Sequence, residues 1–167
     1  MEYIKAVFSV MSRTPQHIYQ VLTKRSERLL ELNEELNWTP NIWMGVSVEN
    51  EKYSYRIDHL SATGACIKFL SLEPLIAPIK TLNLNKIHWV IVGGESGHNA
   101  RPVKKGWIDY IKKQCEENNV AFFFKQWGKP KFNANPTDPT IESVHPQHAK
   151  GGCQLDGKVF RELPMMA

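Results

Sequence analysis

The sequence predicts an α/β fold built on a parallel sheet, the latter part of a (β/α) barrel, and three observations carry that prediction. Five apolar runs of strand length each stop at a polar cluster: residues 18–23 at Lys24-Arg25, 42–48 at Glu49-Asn50, 67–72 at Glu73-Pro74, 87–94 at Glu95-Ser96, and 121–124 at Lys125-Gln126-Trp127-Gly128. Helix-like segments separate most of these runs, and alternation of strand and helix requires a parallel sheet with right-handed crossovers. The runs are apolar nearly throughout, as strands are when both faces of a parallel sheet are covered. Polar groups gathered at the carboxyl ends of parallel strands mark the active face of such folds.

The elements follow in order. Ile4, Val7, Phe8 and Met11 recur at helical spacing, so the chain opens on an amphipathic helix that Thr14-Pro15 ends. Strand one is rich in β-branched and aromatic residues. Ser26 is placed as the N-cap of a helix whose apolar face is Leu29, Leu32 and Leu36, and Thr39-Pro40-Asn41 turns the chain into strand two. Asn50 caps the next helix, with Tyr53, Ile57 and Leu60 on one face and Gly64 closing it. Strand three follows, with Cys66 read as part of its buried stretch. The crossover after Glu73-Pro74 is too broken by proline for a long helix. After strand four, a helix over residues 104–119 buries Trp107, Ile108, Ile111 and Cys115 and wets Lys104, Lys105, Lys112 and Lys113. From Lys129 the periodicity is lost; Pro130, Pro136, Pro139 and Pro146 mark an irregular extension ending in a turn at Leu155-Asp156-Gly157-Lys158. The expected division is a partial barrel over 1–128 and an extension, packed on or beside it, over 129–167.

At 167 residues the chain suits one core, and 23% charged residues place it with soluble globular proteins. A net charge of +4 without a Lys/Arg block permits an anionic ligand or nucleic acid and demands neither. No apolar stretch reaches the roughly 20 residues that span a bilayer, and the first residues lack the pattern of a secretory signal. Cys66, Cys115 and Cys153 stand far apart, in no metal-binding spacing and odd in number, which reads as reduced thiols in the cytoplasm.

The chemistry gathers at the strand ends. Glu49, Glu73 and Glu95 close three successive strands, and at about 4.8 Å between strands their carboxylates would converge on one rim. Such a cluster is kept to bind a cation, an amine or a proton; the alternative is that each glutamate caps a helix or pairs with Lys24, Arg25 or Lys125. Gly93-Gly94 lets backbone amides approach a phosphate, carboxylate or ribose, or else makes a turn of positive φ. Lys125 and Gln126 can hold an anion or a base edge; Trp127 can stack on a ring or close the barrel mouth as an apolar lid. Of the histidines (His17, His59, His88, His98, His145 and His148) only the last two are neighbours, on a proline-rich stretch that reads as solvated surface. Neither a Ser/His/Asp order nor an HExxH helix is present, so the hydrolase and metalloprotease readings have no support.

The motifs VLTKR, WMGVSVEN, FLSLEPL, WVIVGGESG followed by ARP, and FFFKQWG, in this order, resemble the bacteriophage gp-thirty-seven/gp-sixty-eight family, a domain of unknown function related to radical S-adenosylmethionine enzymes. QLDGKVFRELP resembles its C-terminal signature, so the likeness covers nearly the whole chain, to about Pro164. The resemblance implies a partial, TIM-barrel-like (β/α)6 barrel of the radical S-adenosylmethionine type, with an iron–sulfur cluster held by an N-terminal cysteine group. No such group is present here, which implies a C-terminal portion: a truncation, a split gene product or a degenerate copy. It also implies that this chain alone holds no cofactor, S-adenosylmethionine and the cluster belonging to a full-length relative. Carried over residue by residue, the rim of the presumed pocket is Lys24, Arg25, Ser47, Glu49, Glu73, Gly93, Gly94, Glu95, Arg101, Lys125, Gln126 and Trp127. Gly93-Gly94-Glu95 lies late in the barrel, whereas the S-adenosylmethionine motif of the radical enzymes lies on an early strand.

Two functions follow as expectations. In the first the chain is the substrate- and cofactor-facing part of a radical S-adenosylmethionine-like protein of a phage or mobile element, inactive without an upstream cysteine-bearing segment or separate subunit. In the second it is a non-catalytic module that binds nucleotide or nucleic acid in phage–host conflict.

Overall fold

The computed structural model describes residues 2–141 and 151–165, so His145, Pro146 and His148 lie outside the described residues. In chain order the elements are α1 (Glu2–Ser12), β1 (Tyr19–Thr23), α2 (Ser26–Leu32), β2 (Ile42–Ser47), α3 (Tyr55–Ser61), β3 (Ile67–Leu72), β4 (Trp89–Gly93), α4 (Lys105–Glu117) and β5 (Ala121–Gln126), then a hairpin of β6 (Gln154–Leu155) and β7 (Lys158–Val159). The first five strands form one sheet in the order β1-β2-β3-β4-β5, every neighbour parallel. With right-handed crossovers, a sheet that grows in one direction puts all its connections on one face. This is the order of a barrel wall, not of a doubly wound sheet.

The packing shows the two faces apart. Met44 and Val46, Leu70 and Leu72, Val90 and Val92, and Phe122 and Phe124 pack against Phe8, Leu29, Leu32, Ile57, Leu60, Ile108 and Ile111 of the helices. The opposite face carries a second cluster of Trp43, Ile67, Phe69 and Trp89, joined by Ile91, Ala121 and Phe123, all of them strand residues. Both faces are apolar, so the strands show no alternation in sequence although the faces meet different surroundings.

The broken crossover between β3 and β4 contains no helix. It takes a helix's place by burying Leu75, Ile79, Leu82, Leu84 and Ile87 in the main core. Backbone and side-chain bonds tie it down: Leu75 N–H donates to Gly93 O at 2.9 Å, Ile76 N–H to Glu49 O at 3.1 Å and Leu82 N–H to Gln114 Oε1 at 2.9 Å. Two local expectations need correction. Ser26 does not cap α2; it is buried, and its hydroxyl lies 3.0 Å from His59 Nδ1, an α2–α3 contact. Cys66 is exposed and precedes β3, because the buried stretch begins one residue later at Ile67.

After the strand β5, Phe124 N–H donates to Phe160 O at 3.0 Å and Glu162 N–H to Phe122 O at 3.2 Å, so residues 160–162 run antiparallel along its outer edge. The turn expected at Asp156-Gly157 is present, with φ of 51° and 73°, the two positive values a type I′ hairpin turn requires. Among the described residues no helix is long and apolar enough to cross a membrane.

At the other edge, α1 is tied to the sheet by one buried side chain. Asn41 Nδ2 donates to Met11 O and His17 O, each at 3.0 Å, while Tyr19 N–H donates to Asn41 O at 2.8 Å. Asn41→Ala strands these carbonyls and is expected to cost about 1–3 kcal/mol in urea unfolding, with faster amide exchange confined to α1 and the 13–18 turn.

Candidate functional site

The strand register decides which rim residues meet. Ser47 pairs with Ser71 and Leu72 with Val92, so Glu49 stands level with Glu73, and Glu73 level with Gly93. Glu95 lies two residues beyond Gly93, past the end of β4. The three glutamates are therefore not at equivalent heights, and each is engaged separately.

Glu49 is buried, and Lys24 Nζ and Arg56 Nη1 both reach its carboxylate, the latter at 3.3 Å. Arg56 also donates to Ser47 O at 2.9 Å and lies 4.2 Å from the centre of the Tyr53 ring. A buried carboxylate needs such partners, since an unpaired ion in a low-dielectric interior costs several kcal/mol. Arg56 carried no sequence signal, because nothing in a helical arginine distinguishes a buried guanidinium from a wet one. Arg25 is exposed; its backbone N–H donates to Thr23 Oγ1 at 3.0 Å, and it makes no ion pair among the described residues.

Glu73 is bridged across a neighbouring strand. Gln126 Nε2 donates to its Oε1 at 3.0 Å and Lys125 Nζ to its Oε2 at 2.9 Å. Both donors come from β5, two strands away, and Gly93 of β4 lies between. A β-carbon at Gly93 would sit 3.1 Å from the Glu73 carboxyl, so the glycine leaves room for the bridge. Gly94 solves a second close approach: a β-carbon there would collide with the Trp127 carbonyl. Its N–H donates to Gln126 O at 2.9 Å, and its carbonyl accepts from Gln126 Nε2 at 2.8 Å. Neither glycine has positive φ. The expectation of a left-handed turn is corrected, and both glycines clear a close approach of neighbouring groups.

Glu95 accepts from Arg101 three times, from Nε at 2.8 Å, Nη2 at 2.6 Å and the backbone N–H at 2.8 Å. The side-chain bonds first, then the backbone bond, hold its carboxyl down at about 2. Trp127 is also corrected as a stacking residue. It is 1% exposed, packs edge-on to Phe124 with centroids 5.1 Å apart, and donates from Nε1 to Gln154 O at 2.9 Å. Its ring anchors the C-terminal extension, out of a ligand's reach.

Of the residues expected at the rim, Glu73 and Lys125 do meet around a cavity, a groove of about 420 Å³ on the helix-free face. Its apolar part is Leu22, Phe69, Trp89, Ile91 and Phe123, and its polar part adds Gln20, Ser71 and Arg161, whose guanidinium lies 5.2 Å from the Phe123 ring centre. Gln20 and Leu22 come from one edge strand and Phe123 and Lys125 from the other, so the sheet curls until its two edges share a groove. The indole N–H groups of Trp43 and Trp89 and the Oε1 of Gln126 are buried without a hydrogen-bond partner among the described residues. Strand-end polar residues were legible in sequence; the groove floor was not, because its aromatics read as ordinary core.

The thiols do not fit an iron–sulfur cluster. Cys66 is exposed ahead of β3, Cys115 is buried in α4 with burial pushing its thiol up to about 12, and Cys153 is buried in the C-terminal extension. Among the described residues no three His, Cys, Asp or Glu side chains come together as a metal site.

Sheet order, helix-free face and curled groove define an α/β protein of the barrel-wall class. Over residues 1–164 the chain matches the family described as "Protein of unknown function (DUF5131)", and it belongs to that family. No curated protein and no solved structure matches the chain.

Two outcomes test this geometry. Gly93→Ala presses a methyl on Glu73 and is expected to destabilise by about 1–3 kcal/mol in urea, a cost that Glu73→Gln does not reproduce. In a carbon-detected NMR titration, Glu95 should ionise near 2, and Arg101→Ala should return it toward the ordinary carboxylate range. Because the folded value is depressed, the pair's contribution is complete above the unfolded carboxylate pKa and is lost as pH falls toward 2.

Proposed function

We propose that the chain is the substrate-facing part of a barrel enzyme of the radical S-adenosylmethionine type, from a phage or mobile element, working in the cytoplasm. The observation that supports this reading most is the groove on which both edge strands converge. Phe69, Trp89 and Phe123 line it as an apolar wall of rings set tilted and edge-on to one another, while Glu73 and Lys125 stand at the polar end. That combination suits an organic substrate with an apolar body and one polar end, the usual composition of a small-molecule site. The iron–sulfur cluster and S-adenosylmethionine belong, in this reading, to a cysteine-bearing segment or separate subunit, and this chain alone is inactive. The nucleic-acid reading is weaker: Trp127 is buried, and Lys24 and Lys125 are engaged by carboxylates.

NMR screening with planar aromatic fragments tests the groove. We expect fragments to shift the Trp89 indole, Phe123 and Lys125 resonances, and Lys125→Ala to weaken an acidic fragment about tenfold, roughly 1.4 kcal/mol. Fragments that leave all groove resonances unmoved would sink the reading. The enzymatic part fails separately if the chain, reconstituted anaerobically with a cysteine-bearing subunit, takes up no iron and binds no S-adenosylmethionine.

A further inference from the structure

The two edges of the sheet are treated differently. Residues 160–162 cover β5, whereas among the described residues β1 pairs with β2 on one side only. Tyr19 N–H points to Asn41 O at the start of β2. Backbone groups alternate along a strand, so the N–H and C=O of Gln20 and Leu22 point outward. The strand reads Tyr-Gln-Val-Leu-Thr, with no charge, proline or bulge to guard it. Natural sheets protect their open edges with such features, and parallel strands are rarely left exposed.

Beside this edge the apolar arc of α1 is wider than the chain covers. Phe8 and Met11 are buried, but Tyr3 is 80% exposed, Val7 37% and Val10 52%, with Ile18 at 50% and Leu22 at 49% next to them. Between α1, β1 and α2 lies an apolar groove of about 270 Å³ with Arg25 at its mouth. On the inner side of β1, Lys24 already holds the strand-end carboxylate of β2. Arg25 is the next residue, exposed and without an ion pair among the described residues, and with Arg28 it lines the groove between α1, β1 and α2.

We propose that this edge accepts one β-strand from another polypeptide, parallel to β1. Apolar residues of that strand fill the groove under α1, and a carboxylate at its carboxyl end meets Arg25. The parallel direction follows from the charge: strand-end polar groups of this sheet lie at the Arg25 end, and only a parallel strand ends there. The docked strand continues the barrel wall, so the proposal rests on the barrel reading above, but its groove, under α1, is distinct from the one on the helix-free face.

The chain contains a strand of the required kind. A synthetic peptide of residues 41–50 (NIWMGVSVEN) repeats β2, which pairs parallel with β1 and ends in Glu49. Its docking is read by amide exchange at Gln20 and Leu22, with light scattering for mass. We expect the protein to be monomeric, and saturating peptide to slow exchange at these two amides at least tenfold. Glu49→Gln in the peptide should weaken it several-fold, as should Arg25→Glu in the protein. Leu22→Pro removes an outward N–H that β2 does not use, and should abolish docking with an unchanged circular dichroism spectrum. Exchange at Gln20 and Leu22 that the peptide leaves unchanged would overturn the proposal. So would slow exchange in peptide-free protein of dimeric mass, which would assign the edge to a second copy. All readouts lie on β1, so their failure leaves the fragment test of the groove standing.

Discussion

The seam where β4 and β5 leave the sheet has no room for a β-carbon, and the upper half of the molecule is arranged around that fact. Added carbons at Gly94 and Gly128 would meet the carbonyls of Trp127 and Glu95, and one at Gly93 would press on Glu73. With the two backbones in contact, Gln126 can bond both Gly94 and Glu73. Trp127 is turned beneath the C-terminal extension, where its indole and its backbone N–H bond Gln154 and Gly152. Gly128, at φ of 90°, releases the chain in a direction that side-chain-bearing residues rarely take.

The rim acids show how charge is managed near a curled sheet. Each carboxylate has its own cation: Glu49 has Lys24 and Arg56, Glu73 has Lys125, and Glu95 has Arg101. The buried Glu49 draws two basic groups, in keeping with the larger desolvation cost at that site. The more open pairs are screened by solvent and contribute little to stability. Their effect is positional, since the Lys125–Glu73 pair fixes the polar end of the groove.

Much of the architecture was legible in the residues. Five strand runs, the proline-broken crossover, the Asp156-Gly157 turn and the exposure of Lys104 and Lys113 on α4 all follow from local chemistry, whereas Lys112 is half-buried over the Phe160 ring; the ion pairs Lys105–Asp109, Lys112–Glu116 and Lys113–Glu117 are i,i+4 pairs of that helix. What stayed hidden needed the third dimension. Glycine next to glycine reads as a flexible turn, and only the register shows it as clearance for a neighbour. Trp127 reads as a stacking residue until its burial is known. Phe69, Trp89 and Phe123 look like any core aromatics, because a sheet apolar on both faces does not signal which side the helices take.

The unequal edges also bear on how the protein behaves when crowded. A sheet with two open edges can add copies head to tail without limit, and heterologous contacts that do not close lead to fibres. Here the strip from Phe160 to Glu162 occupies the outer side of β5. The β1 edge of one molecule therefore finds no bare β5 edge on the next. The strip guards β5 against strand addition by a second copy.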